Sequence, residues 1–191
     1  MRYIILILFL LYGCSTKTEA IKRYSLNPSI KIDRYRASKY KNRSVKIAYP
    51  TSIRGLITKK IRYSYNDLED GSYNNSRWSS SSSKLLMNIF IKAIERSDIF
   101  NSVVEYTSLV DTEYLIESEI YEFEHKVRDK SSLAIVSIKF NLVDMSNNSL
   151  VKSRKFTYSI PTKTTDARGF VEATNIALSK ITIDMLNWLR R

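Results

Sequence analysis

The clearest alternation of apolar and polar positions lies in the second half of the chain and predicts two long strands. Along residues 133–143 every second side chain is apolar, and because successive side chains of a strand point to opposite faces, these share one face: Ala134, Val136, Ile138, Phe140 and Leu142. Residues 146–149 are polar and predict a turn, after which residues 150–160 alternate again. The two segments are therefore predicted to pair as an antiparallel hairpin.

Shorter patterns of the same kind predict further strands along the chain. Alternating β-branched and aromatic residues mark residues 23–26, 45–49, 56–65, 103–106 and 113–124. Pro50 ends the second of these strands, because proline has no amide hydrogen to donate to a neighbouring strand. Residues 66–76 combine acidic residues, paired asparagines and a glycine, so this stretch is predicted to be a loop.

Two segments instead repeat their apolar residues at intervals of three and four, which is typical of one face of a helix. The first covers about residues 79–97, where serines at the start can accept hydrogen bonds from unpaired amides, and the second covers residues 167–190. The order of elements predicts a layered α/β fold, in which a mixed, largely antiparallel sheet is packed by these two main helices. Residues 45–191 are predicted to form this single domain, and residues 14–44 a tether that contains one short strand.

A short apolar run precedes this tether at the amino terminus. Residues 3–12 carry no charge, follow Arg2 and precede Gly13 and Cys14, the only cysteine of the chain. The run is about half as long as the ~20 residues that a membrane-spanning helix needs, so residues 1–13 are predicted to be a signal peptide that is removed. An ordinary signal peptide with an accidental cysteine, or an amino-terminal strand of a cytosolic domain, would explain the run without a lipid.

The end of this run, Leu11-Tyr12-Gly13-Cys14, resembles the lipobox of bacterial lipoproteins. The resemblance implies cleavage between Gly13 and Cys14 and covalent attachment of lipid to Cys14, and several acyl chains make such an anchor durable. Many Gram-negative lipoproteins that stay at the inner membrane carry aspartate after the cysteine, whereas this chain carries Ser15. We therefore expect a lipid anchor at the outer membrane, on its periplasmic face.

Lysines and arginines outnumber acidic residues by 31 to 19, which gives a formal net charge of +12. A charge of this sign favours nucleic acid or an anionic surface as a partner. Nucleic acid is not expected as the partner of an exported lipoprotein, so acidic lipid headgroups or an acidic protein are the better candidates. The composition, rich in Lys, Ile, Asn, Ser and Tyr, is equally what an AT-rich genome would encode.

Residue types that carry catalysis are sparse. His125 is the only histidine and has no recognisable catalytic partners in the sequence, so we expect it to be a structural or exposed side chain. Four glutamates of one predicted strand could pair or hold a cation, but their alternation with apolar residues is typical of a solvated strand face: Glu117, Glu119, Glu122 and Glu124. With neither a glycine-rich phosphate loop nor zinc-ligand spacing in the sequence, we expect no enzyme, no metal and no cofactor beyond the lipid on Cys14.

Several short motifs follow one another along the chain: Tyr24-Ser25-Leu26, Val45 to Pro50, Leu56 to Ile61, Arg77-Trp78 and Trp188-Leu189. In this order they resemble the ABC-type transport auxiliary lipoproteins, the PqiC-like family. The resemblance implies a non-enzymatic outer-membrane lipoprotein subunit of an intermembrane lipid transport system. Its partners would be an MCE-domain protein, which it would dock to the outer membrane, an ABC transporter permease and ATPase, and membrane phospholipid.

Arg77 and Trp78, placed at the opening of the first helix, are the predicted partner contacts, because arginine and tryptophan are frequent at the energetic centres of interfaces. Packing of the helix onto the sheet would explain the pair equally well. Two other functions stay open: an envelope assembly or structural scaffold unrelated to lipid transport, and a lipid-carrying module with its own apolar cavity. Whether the chain forms a homo-oligomer also stays open.

Overall fold

The computed structural model of the chain describes residues 19–35, 37–52, 55–66, 68–128 and 131–191. The helices and strands within these ranges are β1 (Lys22–Tyr24), β2 (Ser44–Ile47), β3 (Lys60–Ser64), β4 (Asp70–Trp78), α1 (Ser82–Ser97), β5 (Ser102–Glu105), β6 (Tyr114–Arg128), β7 (Ser131–Asp144), β8 (Ser149–Pro161) and α2 (Ala167–Arg190). All of these strands join one mixed sheet, on which the two helices pack. The predicted α/β fold is thereby confirmed.

β6 organises the sheet, because it pairs along both of its edges. One edge pairs over its full length with antiparallel β7, which in turn pairs antiparallel with β8. The other edge is shared by two shorter strands that run parallel to β6. β2 pairs at the amino end, next to Tyr114, and continues to β5, whereas β3 pairs at the carboxyl end, next to His125, and continues to β4 and β1. The sheet is therefore forked, and the two ends of β6 belong to different groups of strands.

The two helices cover one face of this sheet. α1 lies against β2 and β5, and α2 lies against β7 and β8. The five β7 side chains that were predicted to share a face are fully buried, and one of them, Phe140, meets Phe90 of α1 edge to face with ring centroids 5.0 Å apart. Ser81 and Asp166 cap the two helices by accepting hydrogen bonds from the amides of Lys84 and Gly169. The predicted hairpin and both predicted helices are confirmed.

The prediction of a loop at residues 66–76 is wrong, because most of this stretch is strand β4. β4 pairs with β3 on one side and with β1 on the other, so its backbone hydrogen bonds are satisfied although its side chains are polar. The predicted strand at 56–65 is correspondingly shorter and begins at Lys60. Arg77 and Trp78 end β4, and they do not open helix α1 as predicted.

The prediction of a tether that reaches to residue 44 is also wrong, because residues from Lys22 onward belong to the fold. β1 pairs with β4, and the irregular chain that follows buries Leu26 and Tyr40 in the core. The Tyr40 ring stacks on Phe100 at 5.2 Å, and the amide of Tyr35 donates to the carbonyl of Ser97 at 2.8 Å. The described residues between β1 and β2 therefore belong to the folded domain.

Candidate functional site

Gly13 and Cys14, the predicted cleavage and lipidation residues, lie outside the described residues, so the lipid anchor stays a prediction. The described chain begins at Glu19, and one of its carboxylate oxygens accepts a hydrogen bond of 2.7 Å from the side-chain amide of Asn75. Asn75 lies on β4, next to the part of that strand that pairs with β1. Glu19, the first described residue after Cys14, thus lies at the β4 side of the sheet.

Trp78 is a core residue, and this corrects its prediction as a partner contact. Its side chain is only 2 % exposed. The indole packs against Phe123 of β6 and Phe170 of α2, with ring centroids 5.6 and 6.1 Å away. The packing interpretation therefore accounts for Trp78, because the contacts that hold α2 on the sheet leave its indole inaccessible to a partner.

Arg77 occupies a different environment from its neighbour. It is half-buried, and its guanidinium Nη1 donates hydrogen bonds to the carbonyl of Ser76, at 2.8 Å, and to the carbonyl of Tyr73. The side chain therefore folds back along its own strand. The role of Arg77 as a partner contact stays a prediction, and the buried Trp78 cannot share that role.

His125 is fully buried on the inward face of β6. Its ring stacks on Phe170 at 5.3 Å, and its Nδ1 atom lies 2.7 Å from the hydroxyl of Tyr73. Burial lowers the pKa of His125 to about 4, against a weaker opposing effect of Asp166, and burial together with the Asp166 charge raises the pKa of Tyr73 to about 12. Both side chains are thus neutral near pH 7, and His125 has the structural role that the sequence analysis preferred.

The four glutamates of β6 share the face of the sheet that points away from the helices. A β-bulge between Ile120 and Glu122 shifts the alternation by one residue, so Glu122 and Glu124 point the same way as Glu117 and Glu119. The Nζ atom of Lys126 lies 3.9 and 3.8 Å from carboxylate oxygens of Glu122 and Glu124. Glu122, Glu124 and Lys126 line a polar cleft of about 320 Å³. The Arg62–Asp70 ion pair lines the same cleft. This arrangement agrees with the predicted solvated strand face.

Two groups of aromatic and aliphatic residues, each with exposed members, lie at opposite ends of β6, and neither was predicted from the sequence. At the carboxyl end, which we call the tyrosine end, Tyr63, Tyr65 and Tyr73 cluster with ring centroids 5.2 and 5.1 Å from that of Tyr63. The β3–β4 turn adds Leu68, which is 96 % exposed. At the amino end, the β5–β6 loop exposes Tyr106, Leu109 and Val110, and Leu109 is 98 % exposed. No sequence pattern indicates the tyrosine end, because only the pairing of β3 with β4 brings its side chains together.

Across the described ranges, no group of three or more histidine, cysteine, aspartate or glutamate side chains could hold a metal ion. Neither of the two helices there is long and apolar enough to cross a membrane.

Comparison with known proteins gives a match over most of the chain. The family model for the ABC-type transport auxiliary lipoprotein component matches residues 24–185, and none of the curated proteins matches the chain significantly. A Xanthomonas campestris protein, described as a member of the family DUF330, is similar in structure with a TM-score of 0.77 and 20 % sequence identity, over 88 % of this chain and 95 % of that one.

More distant structures share the same fold. PelC from Paraburkholderia phytofirmans, described as a dodecamer, has a TM-score of 0.51 at 13 % identity, over 81 % of this chain and 91 % of that one. A hypothetical protein from Chlamydia trachomatis has a TM-score of 0.51 at 9 % identity, over 78 % of this chain and 98 % of that one. At these identities the similarity shows the fold alone.

Proposed function

Because this chain belongs to the family of ABC-type transport auxiliary lipoprotein components, we propose that it is the outer-membrane lipoprotein subunit of an ABC/MCE-type intermembrane lipid transport system. In this role it has no catalytic activity and docks the periplasmic MCE-domain protein to the outer membrane. The observation that carries the proposal is the family match over residues 24–185, and the lipobox that ends at Cys14 supports it.

The anchor in this proposal is lipid attached to Cys14 after removal of residues 1–13. A single acyl chain holds a protein to a membrane only marginally, so the durable anchor of a lipoprotein requires more than one chain. Ser15 supports delivery to the outer membrane. The described domain begins only five residues after Cys14, at Glu19, so the part of the domain around Glu19 stays close to the bilayer.

The partner surface in this proposal includes the β5–β6 loop, at the end of β6 remote from Glu19. Tyr106, Leu109 and Val110 are exposed within five residues of one loop, and neighbouring exposed apolar residues are typical of protein contacts. Lys46 of β2 donates a hydrogen bond of 3.1 Å to the carbonyl of Ser108, which ties this loop to the sheet. The loop therefore offers an MCE-domain protein a fixed apolar surface at the end of β6 away from the anchor.

Crosslinking in intact membranes tests the proposal. We expect a tagged chain with a photo-crosslinking residue at Leu109 to recover an MCE-domain protein, identified by mass spectrometry. The same residue at the equally exposed Leu68 is the matched control and should recover it less. Recovery of secretion or cell-wall components without any MCE protein would favour the alternative, an envelope assembly scaffold. A Cys14→Ala chain that still sediments with membranes would contradict the lipid anchor.

A further inference from the structure

The position of Glu19 limits how the domain can stand on a membrane. Five peptide units separate Cys14 from Glu19, and an extended chain spans at most about 3.6 Å per residue, so Glu19 lies within about 18 Å of a lipidated Cys14. Asn75 holds Glu19 against β4. On β4, Asn75 lies between the positions opposite Arg62 and Lys60 of β3, and β3 runs beside the carboxyl end of β6. The anchor is therefore attached in the half of the sheet nearer the tyrosine end.

The other end of the molecule lies beyond the reach of this anchor. Eleven positions separate Tyr114 from His125 on β6, and at about 3.3 Å per residue they span roughly 35 Å. Leu109 precedes Tyr114 and lies at the amino end of the strand. If β6 stood upright with Leu109 on the bilayer, Glu19 would be held beyond the roughly 18 Å that residues 14–19 can extend. The upright orientation compatible with the anchor thus has the tyrosine end at the membrane.

The side chains of the tyrosine end suit a bilayer surface. Tyrosine is enriched where membranes meet water, because its ring is apolar while its hydroxyl can stay hydrated. Tyr65 is exposed, and the amides of Leu68 and Glu69 both donate to the Asn66 side-chain oxygen at 2.8 Å. This turn holds the almost fully exposed Leu68 outward at the tip of the hairpin, and nothing else in the described structure explains the exposure of this leucine to water.

The charged side chains of the same end are compatible with headgroup contact. The Glu69 carboxylate accepts a hydrogen bond of 3.0 Å from the Asn66 amide, and the Asp70 carboxylate pairs with Arg62. Arg128 lines a cleft together with Tyr65 and Glu69 and is exposed to solvent. Two of the three acids at residues 67–70 are therefore engaged within the hairpin, while a guanidinium is available to a lipid phosphate.

We propose that the tyrosine end lies against the phospholipid surface, with Tyr65 and Leu68 at the interface and β6 directed away from the membrane. This inference rests on the proposed function through the lipid on Cys14. The anchor and the hairpin then act as two attachment points, since the lipid gives durable binding and the hairpin fixes orientation. The β5–β6 loop is consequently presented to the periplasm.

Site-specific fluorescence on lipidated protein tests the orientation. Acylation blocks the thiol of Cys14, the only native cysteine, so Leu68→Cys and Leu109→Cys each create one reactive thiol. Both leucines are almost fully exposed, so either variant should fold. Each variant is labelled with an environment-sensitive fluorophore and reconstituted into phosphatidylethanolamine–phosphatidylglycerol vesicles that contain nitroxide-labelled lipids. We expect the label at position 68 to lose most of its emission and the label at 109 to keep it.

Other outcomes would overturn the orientation. Equal quenching at the two positions indicates a domain without a fixed orientation, and quenching at 109 alone indicates the opposite one. A label at 68 that is blue-shifted but not quenched indicates a protein partner or second copy on the tyrosine end. Mass spectrometry of the same preparation reports the anchor separately: a chain without added lipid mass contradicts the proposed function, whereas a lipidated chain without quenching at 68 contradicts only the orientation.

Discussion

Burial determines the chemistry of His125 more than any charge near it. The imidazole Nδ1 faces the Tyr73 hydroxyl at 2.7 Å, and we assign the phenol as the donor, which places the ring proton on Nε2. Nε2 is buried, with no hydrogen-bond partner within the described part of the chain. Protonation would put a positive charge between Phe170 and the core, so the neutral ring is favoured, and the pKa of His125 falls to about 4.

The stability of the protein should therefore depend on pH through His125. An unfolded histidine has a pKa of about 6.5, so between that pH and about 4 the unfolded chain binds a proton that the folded chain does not, and acidification destabilises the fold. The loss, complete below the folded pKa, should be at most about 3.5 kcal/mol, because one pKa unit corresponds to about 1.4 kcal/mol. Urea unfolding from pH 7 to pH 4.5 measures it.

The variant His125→Phe keeps a ring against Phe170 and removes the titrating group. Its unfolding free energy should change less over the same pH range than that of the native chain, while the carboxylates common to both chains cancel in the comparison. Parallel pH profiles for the two chains would show that His125 is not the group responsible.

At the scale of elements, the sequence predicted those whose side-chain pattern is set by burial on a single face. β7, β8 and α2 pack on one another, so the spacing of their apolar residues predicted each element correctly. β4 was missed because its strand state comes from backbone pairing on both edges, which side-chain chemistry does not reveal. The burial of Trp78 and the tyrosine end depend on the same pairing. For this reason the sequence predicted Trp78 as an exposed partner contact and did not indicate the tyrosine end.

Close backbone approach at the start of α2 makes Gly169 a specific requirement of that element. A β-carbon there would lie 2.3 Å from the carbonyl oxygen of Thr164. The Asp166 carboxylate fixes both sides of this contact, since it accepts from the Thr164 hydroxyl at 2.6 Å and from the Gly169 amide at 2.9 Å. Gly169→Ala should cost about 2 kcal/mol of unfolding free energy, although alanine normally stabilises a helix relative to glycine by up to about 1 kcal/mol.

Gly71→Ala is the matched control for this prediction. Its β-carbon would approach only the phenol tip of Tyr63, at 2.8 Å, and that side chain can rotate away. Thermal or urea unfolding should show a smaller loss for Gly71→Ala than for Gly169→Ala. A stabilised Gly169→Ala protein would mean that the loop around Thr164 moves freely.

The whole molecule is held together by a segment that looked like a tether in the sequence. Residues 25–35 and 37–43 lie between β1 and β2 and contact both helices. The amide of Asn27 donates to the Asn175 side chain of α2 at 2.8 Å, and the Tyr35 amide donates to the last residue of α1. Arg190 lies over the Tyr35 ring at 4.9 Å. Since no disulfide is available to a chain with one cysteine, these contacts and the core must supply the stability.

Truncation at the predicted domain boundary should reveal this contribution. A chain that begins at Ser44 loses β1 and the buried side chains of Leu26 and Tyr40, and burial of each such side chain contributes about 2 kcal/mol. Domains have only about 5–15 kcal/mol of stability, so the shortened chain should unfold at much lower urea concentration or fail to fold. A chain that begins at Glu19 keeps every described contact and should match the full-length protein. The full-length double variant Leu26→Ser/Tyr40→Ser removes only the two buried side chains, so its loss of unfolding free energy should be smaller than that of the shortened chain. A chain that begins at Ser44 with an unchanged urea midpoint would show that residues 22–43 are a tether.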